Sequence, residues 1–182
     1  MNQKAKVRIG LLGAGNFSEK VLESLRASGH YTVVGGFDCS AHDDFETFHR
    51  FNDFLLAVDS VLVLDILSSN FAQLSQVVKY GKHLYIENPG LCGRRDLRSL
   101  ELLAYESGTH IQIGLKQRFY SYYEDLQKYH LTPRIIESSR YVKFNKNSTQ
   151  LSVIDDLMQH DIDVALMLSS ADVKSVYSTA VG

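Results

Sequence analysis

A glycine-containing turn between an apolar run and an amphipathic segment constrains the fold of this chain more than any other feature. The apolar residues 6–13 (KVRIGLLG) lead directly into the sequence GAGNFS at residues 13–18. Gly13 permits a tight turn from strand to helix, and Gly15 lets the backbone approach a pyrophosphate at the helix N-terminus. Ser18 is small enough for the helix to pack closely on the strand. We therefore predict that Gly13, Gly15 and Asn16 contact a dinucleotide.

A carboxylate at the end of the next apolar run supports this prediction. Residues 31–38 (YTVVGGFD) end at Asp38, which follows Gly13 by 25 positions. An acidic residue at about this spacing binds the ribose hydroxyls of a dinucleotide. Asp38 would also repel a 2′-phosphate, and no arginine follows it directly. The expected cofactor is NAD, with NADP left open.

Short apolar runs and amphipathic segments alternate through the first two thirds of the chain. Continuous apolar runs are typical of parallel strands buried on both faces, and apolar positions at helical spacing indicate the intervening helices. This alternation predicts an α/β fold with a doubly wound parallel sheet, that is, a Rossmann domain. We place it at residues 1–118, with predicted strands at 6–13, 31–38, 60–67, 83–88 and 110–116 and helices at 17–28, 70–80 and 95–107.

The pattern changes after residue 118. A tyrosine-rich helical segment, Phe119–Tyr129, precedes two β-rich runs at residues 134–144 and 173–181, which flank a predicted helix at 153–169. These elements predict an abbreviated α+β domain over residues 119–182. In the helix, Asp156, His160 and Asp163 recur at i, i+4 and i+7, which places them in one stripe of an α-helix.

Composition excludes several classes of partner. Lys and Arg total 19 against 21 Asp and Glu, so the net charge of −2 predicts no binding to nucleic acid or to an anionic membrane surface. The longest apolar run, residues 61–67, is too short to span a bilayer. Two cysteines, Cys39 and Cys92, indicate neither a disulfide framework nor a metal site. We expect a cytoplasmic protein that acts on a small molecule.

Two further motifs carry a resemblance to a known family. Residues 81–89 read GKHLYIENP and residues 114–119 read GLKQRF. The chain resembles the Gfo/Idh/MocA oxidoreductases, whose patterns are GKHxxxEKP, G(F/Y)xxRF and, in a later helix, DxxxHxxD. The resemblance implies hydride transfer between a nicotinamide and a sugar, polyol or similar hydroxyl compound. It also implies that Glu87 lies beside the cofactor, that His160 is the acid/base group and that Asp156 orients it.

The differences from the family pattern leave an alternative open. Asn88 stands where the family has a catalytic lysine, so a neutral hydrogen-bond donor would replace a charge at the reacting oxygen. Asp65 is also unusual, because a carboxylate at this position would lie close to a bound dinucleotide and repel its phosphates. Together with Asn88 and the short second domain, it favours a non-catalytic dinucleotide-binding sensor or regulatory subunit. The glycine turn together with the intact Asp156/His160/Asp163 stripe favours an enzyme. Loss of dinucleotide binding is the least favoured option, because Gly13, Gly15 and Asp38 are present. A homo-oligomer through residues after Phe119 is also expected, since two strands would leave open sheet edges.

Overall fold

The structure is a computed structural model that describes residues 5–13, 19–39, 44–63, 71–87, 93–129, 131–141, 143, 153–169 and 171–179. For positions 19, 116, 124, 127, 155 and 156 it describes the backbone and not the side chain. The chain divides into two compact units, residues 1–114 and residues 115–182. The functional assignment of a cofactor domain at 1–118 and an abbreviated substrate domain at 119–182 stays a prediction.

The first unit is built on one sheet of six parallel strands in the order β3-β2-β1-β4-β5-β6. This is the strand order of the Rossmann fold, and it reverses direction between β1 and β4. The predicted doubly wound α/β sheet is therefore confirmed. The strands are β1 (Val7–Leu12), β2 (Tyr31–Phe37), β3 (Glu46–Phe48), β4 (Ser60–Val63), β5 (His83–Ile86) and β6 (Ile111–Ile113).

Four helices connect these strands. They are α1 (Glu19–Ala27), α2 (Phe51–Ala57), α3 (Phe71–Lys79) and α4 (Arg94–Ser107). α4 is followed by Gly108, whose φ of 66° and N–H to the Tyr105 carbonyl complete a left-handed cap. β3 and α2 form the connection between residues 38 and 60, for which no element is predicted from the sequence.

Successive side chains along the strands point to opposite faces of the sheet, so the core consists of two hydrophobic clusters. Leu12, Val63 and Ile86 are cross-strand neighbours on one face, where they join the apolar faces of α2, α3 and α4. Phe54 and Leu74 are fully buried in this larger cluster. The opposite face packs Ile9 and Leu11 against Leu22 of α1 in a smaller cluster. Both faces of the sheet therefore carry packed side chains, which agrees with the continuous apolar runs of the predicted strands.

The second unit contains helices and extended segments. A 3₁₀ turn (Lys116–Phe119) precedes α5 (Ser121–Lys128), and a π-helical turn (Ile154–Met158) runs directly into α6 (Gln159–Ser169). Between them, residues 131–141 lie along α6, where Ile136, Arg140 and Ile162 help to line shallow grooves. The predicted helix at 153–169 is confirmed as to its limits, although its first turn is π-helical.

The two strands predicted for the second unit are wrong in the part of the chain that the structure describes. Residues 134–141 and 173–179 contain no strand there, and Ile135 and Val176 are 82% and 79% exposed. A β-rich composition favours a strand only where a neighbouring strand supplies hydrogen-bond partners. The described residues of this unit supply no such ladder, so the local pattern does not determine the structure.

Among the described residues, no helix is both long and apolar enough to cross a membrane.

Candidate active site

Three predicted cofactor-binding residues follow the carboxyl ends of parallel strands. Gly13 follows β1, Asp38 follows β2 and Glu87 follows β5. Because these strands are parallel members of one sheet, all three residues lie along the same edge. The direction of the strand order reverses between β1 and β4 at this edge, which is where open α/β sheets bind ligands.

Gly13, the first residue after β1, has the backbone conformation that the start of a tight turn requires. Gly13 has a φ of 71°, in the left-handed region that favours glycine, and its N–H donates to the Phe37 carbonyl at 3.2 Å. This hydrogen bond ties the turn to the end of β2, directly before Asp38. Gly15 and Asn16 lie outside the described residues, and α1 begins at Glu19.

Asp38 is the one non-glycine residue with a positive φ, 55°, in the described part of the chain. Aspartate adopts this conformation more readily than most residues, and residues held in it are found often at ligand sites. Asp38 follows Phe37, which pairs with Leu12 in the sheet register. The structure therefore brings Gly13 and Asp38 to adjacent strand ends.

Glu87 is held by a hydrogen bond within its own strand end. The Tyr85 hydroxyl donates to Glu87 Oε2 at 2.7 Å, and the pair is partly buried. Burial, with the neighbouring carboxylate, raises the pKa of Tyr85 well above its usual value, so the hydroxyl stays a donor. The Glu87 N–H also donates to the Val63 carbonyl at 2.9 Å. Asn88, the next residue, lies outside the described residues, as does Asp65.

Gly114, at the carboxyl end of β6, supplies the space for this pair. A Cβ atom at Gly114 would overlap the Tyr85 hydroxyl and lie 2.9 Å from both Glu87 Cα and Glu87 Oε2. The Gly114 N–H donates to the Ile86 carbonyl at 2.7 Å, which keeps the two strand ends together. The sequence identified Gly114 as part of a motif and did not reveal this contact. We name Tyr85, Glu87 and Gly114 the Tyr85–Glu87–Gly114 cluster.

The residues predicted to carry acid/base chemistry lie in the second unit. His160 is half-buried in the first turn of α6, and its Nδ1 is shielded from solvent. Asp156 lies in the π-helical turn before it, and its side chain is outside the described set. The predicted stripe of Asp156, His160 and Asp163 assumes a regular α-helix, and the π turn interrupts that regularity between Asp156 and His160.

Asp163 has a partner that the sequence did not reveal. Arg118 of the GLKQRF motif forms a bidentate pair with it, with Arg118 Nε donating to Asp163 Oδ2 at 2.6 Å and Nη2 donating to Oδ1. Asp163 is 7% exposed. The two residues are 45 positions apart, so helical spacing gives no sign of the pair. A carboxylate this deeply buried requires a charged or hydrogen-bonding partner.

A second arginine contacts the residue after His160. Arg140 Nε and Nη2 donate to the two carboxylate oxygens of Asp161, each at 2.8 Å. The Arg140 guanidinium, together with a hydrogen bond from the Ser138 side chain, keeps the pKa of Asp161 below its usual range. Within the described residues, no cluster of three or more His, Cys, Asp or Glu side chains has the geometry of a metal site.

Comparison with known proteins finds relatives of one type. The chain is 28% identical to the UDP-N-acetylglucosamine 3-dehydrogenase of Acidithiobacillus ferrooxidans over 187 aligned positions, which cover 96% of this chain and 59% of that protein. Its relatives are Gfo/Idh/MocA-type oxidoreductases. The resemblance carried by the sequence motifs is thereby confirmed, although no protein-family model matches the chain.

Solved structures of Gfo/Idh/MocA-type proteins share the fold. A structure of the same A. ferrooxidans dehydrogenase superposes with a TM-score of 0.78 at 24% identity, covering 93% of this chain and 58% of that one. A dehydrogenase from Clostridium difficile gives a TM-score of 0.70 at 17% identity, covering 93% and 59%. The chain thus spans about three fifths of the length of these relatives and corresponds to their N-terminal part.

Proposed function

We propose that the chain is an NAD(P)-dependent oxidoreductase of the Gfo/Idh/MocA type. The observation that carries this proposal is the meeting of Gly13 and Asp38 at adjacent strand ends beside the point where the strand order reverses. These residues fit a dinucleotide, because the glycine turn leaves room for the pyrophosphate and the carboxylate can bind ribose hydroxyls. When bound, the nicotinamide would supply the hydride-accepting group.

NAD is the proposed form of the cofactor. The Asp38 carboxylate would accept hydrogen bonds from two ribose hydroxyls and would repel a 2′-phosphate. Gly15 and Asn16 would contact the pyrophosphate, and Glu87 would lie beside the cofactor at the end of β5. A comparison of NADH and NADPH affinities tests the preference, and tighter binding of NADPH would contradict it.

The chain's own residues would move the proton. His160 would accept a proton from a substrate hydroxyl during oxidation and return it during reduction, with Asp156 orienting the imidazole. Asn88 would donate a hydrogen bond to the reacting oxygen. An amide there supplies no positive charge, so we expect slower chemistry than a lysine would give.

A sugar or polyol is the proposed substrate class, with a nucleotide-linked sugar as the first candidate. This choice rests on the name of the A. ferrooxidans relative, a UDP-N-acetylglucosamine 3-dehydrogenase. The relatives are named as dehydrogenases or oxidoreductases, which supports an enzyme over a non-catalytic sensor.

Turnover tests the catalytic part of the proposal. The purified chain is incubated with NAD and UDP-N-acetylglucosamine, and NADH formation is followed by absorbance. We expect a slow rate that Asn88→Lys raises by about a hundredfold, because a preorganised charge at the reacting oxygen commonly has an effect of this size. Ordinary dehydrogenase rates in the wild type, or a measurable rate unchanged in Asn88→Lys, would contradict the assigned role of Asn88.

A homo-oligomer through the second unit is also proposed. Ile135, Tyr141, Val176 and Tyr177 in this unit are between 79% and 93% exposed. Apolar side chains this exposed favour association where they form one contiguous patch. Light scattering behind size exclusion should give a mass at least twice 20.5 kDa, and a monomer at micromolar concentration would refute the proposal.

A further inference from the structure

The two arginine–aspartate pairs of the second unit lie on either side of His160. With about 100° of rotation per residue in an α-helix, Asp161 projects about 100° to one side of His160 and Asp163 about 60° to the other. Arg118 holds Asp163 from the 3₁₀ turn, and Arg140 holds Asp161 from the extended segment. His160 therefore projects from the arc of α6 that the two pairs enclose.

The π-helical turn before α6 makes these pairs important for orientation. Its hydrogen bond runs from the Gln159 N–H to the Ile154 carbonyl, five residues back. A π turn breaks the regular i→i−4 ladder, and such turns occur frequently at functional sites. The rotation of α6 about its axis is therefore not fixed by a regular helix that continues from Asp156. Contacts outside the helix have to fix it.

Both pairs have the geometry to do so. Each is bidentate, which restrains direction as well as distance. The Arg118 and Asp163 side chains are 45% and 9% exposed, and the Arg140 and Asp161 side chains are 33% and 21% exposed. An exposed pair on α5, Lys128 with Asp125, differs from them, because its side chains are 73% and 62% exposed and Lys128 Nζ makes a single 2.6 Å contact. Exposed pairs of that kind restrain little.

We infer that Arg118 and Arg140 are positioning residues for His160, acting through Asp163 and Asp161 to set the rotation of α6. This inference rests on the proposed acid/base role of His160. It assigns a task to the arginine of the GLKQRF motif that the sequence pattern alone does not give. It also gives Asp163, which the sequence places only in the stripe with Asp156 and His160, a supporting role.

The test measures His160 directly. NMR spectra of the full chain carry the imidazole ¹³Cε1–¹H signal of His160, assigned by its loss in His160→Gln. Arg118→Gln and Arg140→Gln should each move or broaden this signal in folded protein, while the control Lys128→Gln leaves it unchanged. The charge-exchanged variant Arg118→Asp/Asp163→Arg should restore the wild-type position at least in part. Where a glutamine variant does not fold, Arg118→Lys and Arg140→Lys replace it, since lysine keeps the charge and loses the bidentate contact.

Kinetics give a second readout that a purely stabilising pair would not move. In the turnover assay with NAD and UDP-N-acetylglucosamine, Arg118→Gln should lower kcat by about tenfold or more while KM for NAD changes less than about twofold, because a small misplacement of an acid/base group chiefly affects the chemical step. A His160 signal that stays at its wild-type position in both arginine variants overturns the inference. Absence of turnover in the wild type counts against the proposed function, and the NMR result still decides the inference.

Discussion

Gly114→Ala should destabilise the first unit and disturb the site together. The new Cβ would overlap the Tyr85 hydroxyl and would lie 2.9 Å from Glu87 Cα, which is backbone and cannot move away cheaply. Overpacking of this kind costs about 1–3 kcal/mol. Separating the Tyr85 hydroxyl from Glu87 Oε2 loses a hydrogen bond to a charged group, worth about 1 kcal/mol at a half-buried site. The expected loss is about 2–4 kcal/mol in the free energy of unfolding.

Urea unfolding of three variants separates these contributions. Tyr85→Phe removes the hydrogen bond alone, so it should cost about 1 kcal/mol. Gly93→Ala is the matched control, because a Cβ there would be in ordinary contact, 3.7 Å from Asp96 Oδ2. Gly93 is the N-cap of α4, where alanine is less favourable than glycine, so this change should cost about 1 kcal/mol or less, below the loss expected for Gly114→Ala. If Gly114→Ala is as stable as Gly93→Ala, the steric account of the Tyr85–Glu87–Gly114 cluster is wrong.

Two further predictions concern stability in the first unit. Leu74→Ala should lower the free energy of unfolding by about 3 kcal/mol in urea titrations, because Leu74 is fully buried. Leu102→Ala, at a 59% exposed position, should change this free energy by less than about 0.5 kcal/mol. Equal effects of the two substitutions would contradict the placement of Leu74 in the core. Arg8 lowers the pKa of Asp59 to about 2 by hydrogen bonding, so the pair stabilises the fold above about pH 4 and loses this effect as the pH falls towards 2. Asp59→Asn should therefore cost about 0.5 kcal/mol at pH 7, as expected for an exposed pair, and a difference that persists at pH 2 would contradict this assignment.

The fold of the first unit could be predicted from the sequence because each local signal agrees with the tertiary structure. Apolar runs became buried strands, and the apolar positions of α3 and α4 face the larger core cluster. The bounds of β3 and α2 were missed, since Glu46–Phe48 is too short to show an alternating pattern. Short elements of this kind depend on their neighbours in the sheet, which no local window contains.

The second unit was predicted less well for a related reason. The runs beginning at residues 134 and 173 are rich in β-forming residues, but strands exist only in hydrogen-bonded ladders. The π-helical turn was also missed, because Ile154–Met158 fits a regular α-helical pattern in sequence. Its effect on the relative placement of Asp156 and His160 could be seen only in the structure.

The candidate site shows the same division between local and distant information. The placement of Gly13 and Asp38 at neighbouring strand ends could be predicted, because dinucleotide-binding folds have a characteristic spacing between these two positions. The pairing of Arg118 with Asp163, and the space that Gly114 leaves for Tyr85, depend on residues distant in sequence. No spacing rule covers such contacts.

Binding of a nicotinamide dinucleotide is the central claim, and a fluorescence titration tests it most directly. The purified chain is titrated with NADH and with NADPH while the nicotinamide emission is followed, and folded Gly15→Val protein serves as the control. We expect saturable binding with NADH preferred, and loss of binding in Gly15→Val because a branched side chain would occupy the pyrophosphate space. Failure of the wild type to bind either nucleotide, or unchanged affinity in folded Gly15→Val, would contradict the account.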